Sequence, residues 1–370
     1  MLRGVNLGGW LVLEKWMTPT LFEGTKAHDE TYFCKELGED RARERLKTFR
    51  DTFITRRDFA EIADKGFNAV RIPVPFFLFE DIGPYVHCYE NLDKAFDWAE
   101  EVGIKILIDL HTVPGGHNGT DNSGIMGICL WSTRQDCVEY TLNVLEKLAV
   151  RYGQRKALWG IEALNEPMCS DTPSGQYLNI HEFIKFYTPA DPDLAQGNEN
   201  YTLDFLKQFY RDAYARTRRH MGTDKYIVFH DAFELDIWED FLLHEGMEGV
   251  CLDTHTYLMT PDRMLFKEKN LEVYRNYLQS LGERLTTAGM RIPLIVGEWN
   301  AQNSADGLEA MTNAQKDALY SGIADAFQNA FAGTLGWFYW SWKILAEGLD
   351  ADCDDACRCV TKGWLKLKNT

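Results

Sequence analysis

Short runs of apolar residues alternate with longer stretches in which apolar and polar residues are mixed. The runs are Leu2–Leu7, Ala69–Pro73, Ile104–Leu110, Leu158–Leu164, Tyr226–Phe229, Val250–Thr254, Pro293–Val296 and Leu335–Trp340. They are rich in Val, Ile, Leu and aromatics, the pattern of strands buried on both faces. Between them, Thr55–Lys65, Leu92–Glu101, Ser132–Tyr152, Thr202–His220, Leu271–Ala288 and Asn313–Ala330 read as amphipathic helices. In the first of these, Phe59, Ile62 and Ala63 share one face and Gly66 supplies a stop. Eight strands with helical crossovers predict a closed (β/α)8 TIM barrel, one domain over residues 1–370. An open doubly wound sheet is the alternative. It would carry a Gly-rich phosphate turn after its first strand, and Gly4-Val5-Asn6-Leu7-Gly8-Gly9 has neither the G-x-G-x-x-G order nor a helix behind it. One long irregular stretch, Met168–Asn200, follows the fourth strand. In a barrel this puts it on the face where active sites form, as a wall of the site.

Charge narrows the partners. Lys and Arg total 39 against 56 Asp and Glu, a formal charge of −17. A nucleic-acid or anionic-membrane surface needs the opposite balance. No stretch approaches the ~18–20 apolar residues of a membrane span. No basic-then-apolar leader precedes the first strand run, so a cytoplasmic protein is expected, or a secreted one if a leader has been removed. Nine cysteines scattered over 370 residues fit reduced thiols better than a disulfide scaffold. Asn118-Gly119-Thr120 has the pattern of a glycan acceptor. A glycan there would obstruct the expected site, which favours a compartment without glycosylation. Aromatics reach 13%, with 11 Trp, which suits stacking on flat ligands and a large core equally.

The chemistry is carried by Asn165-Glu166-Pro167 and Gly297-Glu298-Trp299. Each Glu ends an apolar strand, and in a closed barrel both would face one mouth. Burying an unpaired carboxylate is costly, so a strand-end acid needs a reason. Two carboxylates across one cleft are what retaining glycoside hydrolysis uses: one attacks the anomeric carbon, and the other, its pKa raised, protonates the leaving oxygen. About 5–5.5 Å should separate them. Arg71 in Asn-Ala-Val-Arg-Ile-Pro, His111 in Ile-Asp-Leu-His, His255-Thr256-Tyr257 and Trp340 in Gly-Trp-Phe-Tyr-Trp-Ser-Trp-Lys also stand at strand ends.

In this set and order the chain resembles glycoside hydrolase family 5. Arg3–Glu14 and Pro114–Gly124 resemble the subgroup with fungal exo-β-1,3-glucanases and related β-glucosidases. The resemblance implies Glu166 as acid/base and Glu298 as nucleophile. It implies Asn165 at the sugar 2-hydroxyl, Arg71 and Tyr257 holding Glu298 ionised, and His255 and His111 positioning the acid/base and sugar hydroxyls. Trp340 becomes the floor of the cleaved-sugar subsite. Glu14, Asp121 and Asn122 match positions that grip the terminal sugar, which favours exo action. Trp299 and His117, inside the same motifs, complete the expected sugar contacts. The implied partner is a carbohydrate, with no cofactor.

The chain departs from that subgroup at Thr120 and Thr260, where the fungal enzymes tend to carry a phenylalanine pair clamping the sugar beyond the scissile bond. An aromatic contact is worth on the order of 1 kcal/mol, so the leaving-group side should differ, with Tyr177, Phe183, Phe186 and Tyr187 of the insertion as a replacement wall. The expected substrate is a β-glucoside or a β-linked disaccharide conjugate other than simple laminarin. The alternatives are a diglycosidase, an endo-glucanase or transglycosylase on the same scaffold, and a non-catalytic carbohydrate-binding barrel. The acidic tail 350–359, with Cys353, Cys357 and Cys359, has neither the Gly nor the Glu of a calcium loop nor a second Cys cluster for zinc, so it reads as a loop without a metal. No serine-hydrolase elbow or Walker loop occurs.

Overall fold

A computed structural model describes residues 1–367; the last three residues of the expected domain lie outside them. Eight parallel strands close on themselves in chain order. They are β1 (Leu2–Asn6), β2 (Ala69–Val74), β3 (Lys105–Leu110), β4 (Leu158–Glu162), β5 (Tyr226–His230), β6 (Val250–His255), β7 (Leu294–Trp299) and β8 (Gly336–Tyr339). Each lies within an apolar run of the sequence or within three residues of one. The barrel closes where Gly4 of β1 pairs with Phe338 of β8. A side chain on Gly4 would collide with the Phe338 ring, so the glycine lets that ring fill the barrel floor.

The helices follow in chain order. α1 (Glu30–Leu37), α2 (Glu39–Phe53) and α3 (Arg56–Asp64) precede β2; α4 (Tyr89–Val102) and α5 (Gln135–Tyr152) follow β2 and β3. After β4 come the short α6 (Ile180–Phe183) and α7 (Pro192–Ala195) and the long α8 (Leu203–Arg218). α9 (Glu239–His244) follows β5, α10 (Met259–Met264) and α11 (Leu271–Gly289) follow β6, and α12 (Asn313–Ala330) follows β7. α13 (Leu349–Cys353) and α14 (Ala356–Lys362) close the chain. Their starts have local causes: Thr55 and Asp58 form a capping box on α3, Thr312 and Gln315 on α12, and Asn270 accepts two backbone N–H groups at the head of α11.

Two expectations need correction. α1 and α2 were not announced by the apolar pattern, because α2 is mostly charged and buries only Ala42, Leu46, Arg50 and Phe53. The acidic tail is two short helices rather than a loop. Asp355 caps α14 through Arg358 N (2.8 Å) and takes Ile344 N, and Asp354 accepts from Asn300. All nine cysteines are unpaired, eight of them buried. Asn118 is fully buried, and its side chain is bonded to Glu166 O and Thr120, which leaves no room for a glycan.

The barrel interior has an apolar floor of Ala69, Leu107, Val228, Cys251, Ile295 and Phe338. Two residues further along each strand the same face becomes polar: Arg71, Asp109, His230, Asp253 and Gly297, with Asn6 on β1 and Glu162 on β4. The site stands on this second storey.

Candidate active site

Arg71, fully buried, organises the polar storey. Its Nε donates to Glu162 (2.8 Å), Nη1 to Asn6 (3.1 Å) and Glu298 Oε1 (2.9 Å), and Nη2 to Asn165 Oδ1 (2.8 Å), with Asp109 at 3.1 Å. A planar guanidinium with five donors is the group able to serve so many acceptors at once. Tyr257 donates its hydroxyl to the other oxygen of Glu298 at 2.7 Å.

Glu166 comes from the opposite side. It follows β4 in a left-handed backbone conformation (φ 43°), strain of the kind found at functional turns. Its Oε1 lies 2.8 Å from His255 Nδ1, and its Oε2 accepts from Asn122 Nδ2 at 3.3 Å. His255 Nδ1 is also 3.6 Å from Glu298 Oε2. One nitrogen therefore reaches both carboxylates. Even with those two distances laid end to end, the oxygens are closer than the ~6.5 Å at which inverting pairs begin.

Around this pair, His111 holds Asp109 through Nδ1 and turns Nε2 toward Asn165 Nδ2 (3.5 Å). The Trp340 ring lies parallel to His111, 6.0 Å between centroids. Glu14 is buried: one oxygen accepts from Trp16 Nε1 (2.9 Å) and the other has no partner. Burial and the neighbouring Asp121 carboxylate push its pKa well up; burial and Glu166 push Asp121 to about 6. The unpartnered Glu14 oxygen is left for a sugar hydroxyl to satisfy. Thr120 sits between Asn118 and Asn122, so where an aromatic was expected in relatives a hydroxyl steadies the amide that bonds Glu166.

Several expected contacts are not made. Trp299 is fully buried against Phe327, Phe331, Trp337 and Tyr339, away from any sugar. Adjacent strand residues point to opposite faces, and register shifts on both sides of β7 give the inward position to Glu298. His117 is buried too. Its Nε2 bonds the Asn165 carbonyl at 2.6 Å, and burial lowers its pKa to about 4, so it is a neutral brace for Asn165 rather than a sugar contact. Phe186 points to solvent. Tyr187, packed edge-on by Phe183, lies toward Asp121 and Glu166.

The protonation pattern is also corrected. Burial pushes Glu166 up, but the hydrogen bond and charge of His255 outweigh it, so the pKa falls below the usual value. Glu298 is raised by burial, with His255 and Arg71 pulling it back and Glu166 adding to the rise. Burial alone would depress His255; Glu298, Asp253 and Glu166 together raise it well above 6.5. The catalytic proton is therefore governed by the Glu166–His255 hydrogen bond rather than by burial of Glu166 alone.

Glu162, Asp109, Asp253, Asn6 and His230 were not foreseen. Asp109, His230 and Asp253 lie two residues beyond the floor residues Leu107, Val228 and Cys251, a period that Arg71 already marks, and Asn6 and Glu162 lie two beyond Gly4 and Gly160. Glu166, His230 and His255, and separately Glu162, Asp253 and His255, bring one ligand atom each within 4.8 Å. Arg71 and a protonated His255 put positive charge against both groups, so these donors suit shared protons better than a cation.

A family model described as cellulase (glycosyl hydrolase family 5) matches residues 34–345. A glucan 1,3-beta-glucosidase of Kluyveromyces lactis is 32% identical over 366 residues, covering 91% of this chain and 73% of that protein. A probable glucan 1,3-beta-glucosidase A of Aspergillus fumigatus is 32% identical over 375 residues, 100% of this chain and 79% of the other. Among solved structures, the rutinosidase from Aspergillus niger superimposes with a TM-score of 0.76 at 22% identity, covering 98% of this chain and 97% of that one. At that identity the last likeness bears on the fold alone.

Proposed function

The chain belongs to glycosyl hydrolase family 5, and from that premise we propose that it is a retaining, exo-acting β-glycosidase of the glucan 1,3-β-glucosidase type. Glu298 attacks the anomeric carbon and forms a glycosyl-enzyme. Arg71 and Tyr257 each bond one of its oxygens, aiming the carboxylate and stabilising its charge as it reacts. Glu166 and His255 share one proton across 2.8 Å. As negative charge builds on the leaving oxygen, the proton passes from the imidazole through Glu166 to that oxygen. Glu166, left as a carboxylate, then takes a proton from the water that releases the sugar. Asn165, fixed by Arg71 and braced by His117, presents its amide to the 2-hydroxyl. Trp340 offers its ring to the apolar face of the pyranose.

One observation carries this conclusion: His255 Nδ1 lies within 2.8 Å of one carboxylate and 3.6 Å of the other, a gap suited to direct attack. The buried Glu14 and the half-buried Asp121 favour a terminal sugar, because they offer several contacts to hydroxyls at one end of the cleft. The test is NMR of the first product formed from laminaritetraose and from an aryl β-glucoside. β-Glucose should appear before mutarotation, and whatever cleavage of the tetramer occurs should give glucose and laminaritriose as the first pair. An α-anomer, or laminaribiose as the first product, would sink the proposal.

A further inference from the structure

The acid/base stands after β4, so the leaving group departs over the loops that follow β4, β5 and β6. The residues offered to the retained sugar come from the other arc: Glu14 after β1, Asp121 after β3, Trp340 after β8. On the departing side lies a cavity of about 370 Å³, within the range of small-molecule sites. Neither catalytic carboxylate lines it, but His255 and Tyr257, which hold them, both do.

Apolar side chains make up much of its wall, with Asp231, Arg284 and three threonines among them. Tyr177 and Leu178 of the insertion and Phe233 after β5 form one side, and the cavity runs inward to Leu285 and Phe327. Its lip is Met264 and Leu265, 59% and 66% exposed, beside Tyr177 at 45%. Three large apolar side chains left in water around an apolar hollow mark a surface kept for a ligand. A second sugar would need several polar partners there, and most of the charged and hydrogen-bonding groups are already engaged. Asp231 accepts from Phe233 N (2.8 Å) and Thr254, Arg284 is paired with Asp236 (2.8 Å), and Tyr257 is bonded to Glu298. Among the described residues lining the cavity, the Thr256 hydroxyl is buried without a partner, and that of Thr260 is exposed.

We infer that this cavity binds the leaving group, and that the leaving group is an apolar multi-ring alcohol rather than a sugar. The inference rests on the glycosidase reading above and specifies its substrate class. Thr260 opens the entrance, since a large ring there would stand between the carboxylates and the hollow. Met264, an unbranched and flexible apolar chain, makes the lip adaptable beside Leu265.

The test compares kcat/KM for β-D-glucosides of phenols of similar acidity but growing size: phenyl, 2-naphthyl and oestradiol-3-yl, with laminaribiose alongside. The value should rise at least tenfold from phenyl to the four-ring phenol, and laminaribiose should be poorer than either. In Leu265→Asp, and separately in Met264→Ser, the oestradiol-to-phenyl ratio should fall about tenfold. Both sites are exposed, so the fold tolerates the change. A flat series, a preference for laminaribiose, or an unchanged ratio in Leu265→Asp would overturn the inference. Calorimetry with free oestradiol separates this from failure of the parent reading: the phenol should bind wild type and lose at least tenfold in affinity in Leu265→Asp. That binding without hydrolysis of any glucoside would strike the glycosidase proposal and leave the cavity assignment standing; no binding to wild type would overturn the cavity.

Discussion

The inside of the barrel is built of two unlike storeys. The floor of Ala69, Leu107, Val228, Cys251, Ile295 and Phe338 is apolar and completely buried, and it asks nothing of its surroundings. Two residues on, the same face carries Arg71, Asp109, Glu162 and Asp253, equally buried. Here oxygens of Asp109, Glu162 and Asp253 have no hydrogen-bond partner. Buried charges of this kind stabilise a fold poorly, because desolvation offsets most of their attraction. The lower storey holds the barrel closed. The upper one tolerates electrostatic conflict so that two carboxylates and an imidazole stand at fixed distances in a dry pocket.

The sharpest way to break this division is to remove one group from each storey. Glu298→Ala should cut turnover of an aryl β-glucoside by roughly 10⁴-fold or more, since no other group can attack. Its urea midpoint should stay near wild type, because Asp109, Glu162 and Asp253 still surround the Arg71 charge. A large loss of stability would show that the upper storey also carries the fold. Phe338→Ala should do the reverse. It leaves a cavity over Gly4 at the barrel seam and should cost about 3–5 kcal/mol of unfolding free energy. Activity per folded molecule, measured with active-site titration, should remain within a few-fold of wild type. A collapse of kcat in a folded Phe338→Ala protein would mean that the storeys are coupled.

The same division explains what could be read from the chain. Strands buried on both faces advertise themselves as apolar runs, and each was recognisable. Strand-end groups such as Glu166, Glu298 and His255 stood out because an acid or imidazole after such a run is expensive without a purpose. Glu162 and Asp253 were harder to see, since they sit inside the runs, where one polar residue does not disturb the local hydropathy. Counting in twos from Arg71 would have found them. Trp299 was misread because a bulge decides which of two neighbouring residues faces inward, and a bulge leaves no mark in composition. α2 escaped notice for the converse reason: buried Arg50, paired with Glu30 at 2.7 Å, occupies what looks like a polar position.

The finest effect expected lies in the upper storey itself, where charge, not shape, sets the catalytic proton. His255 faces Glu298 from β7, Glu166 after β4, Asp253 on its own strand, and His230 from β5, with Arg71 and Glu162 beneath. Burial, His255 and Arg71 depress His230 well below 6.5, so it is neutral and adds no charge. Burial raises Glu162 well above the usual carboxyl value, with the Arg71 guanidinium it bonds at 2.8 Å pulling it back. Glu298, Asp253 and Glu166 are the groups that hold the proton on His255, and the alkaline limb of kcat/KM reports loss of that proton. Asp253→Asn removes one anion, weakens the hold on the proton, and should move the alkaline limb to lower pH by about one unit. Glu162 bonds Arg71 rather than His255, so Glu162→Gln should move the limb much less. Stability carries the same sign. A folded-state pKa for His255 above its unfolded ~6.5 contributes stability that is complete below that pH and is lost as pH rises through the folded value. Asp253→Asn should therefore flatten the alkaline slope of the unfolding free energy, while Glu162→Gln preserves it. If the two variants shift the pH profile equally, Glu162 holds the proton as firmly as Asp253, and the proton balance assigned to the upper storey is wrong.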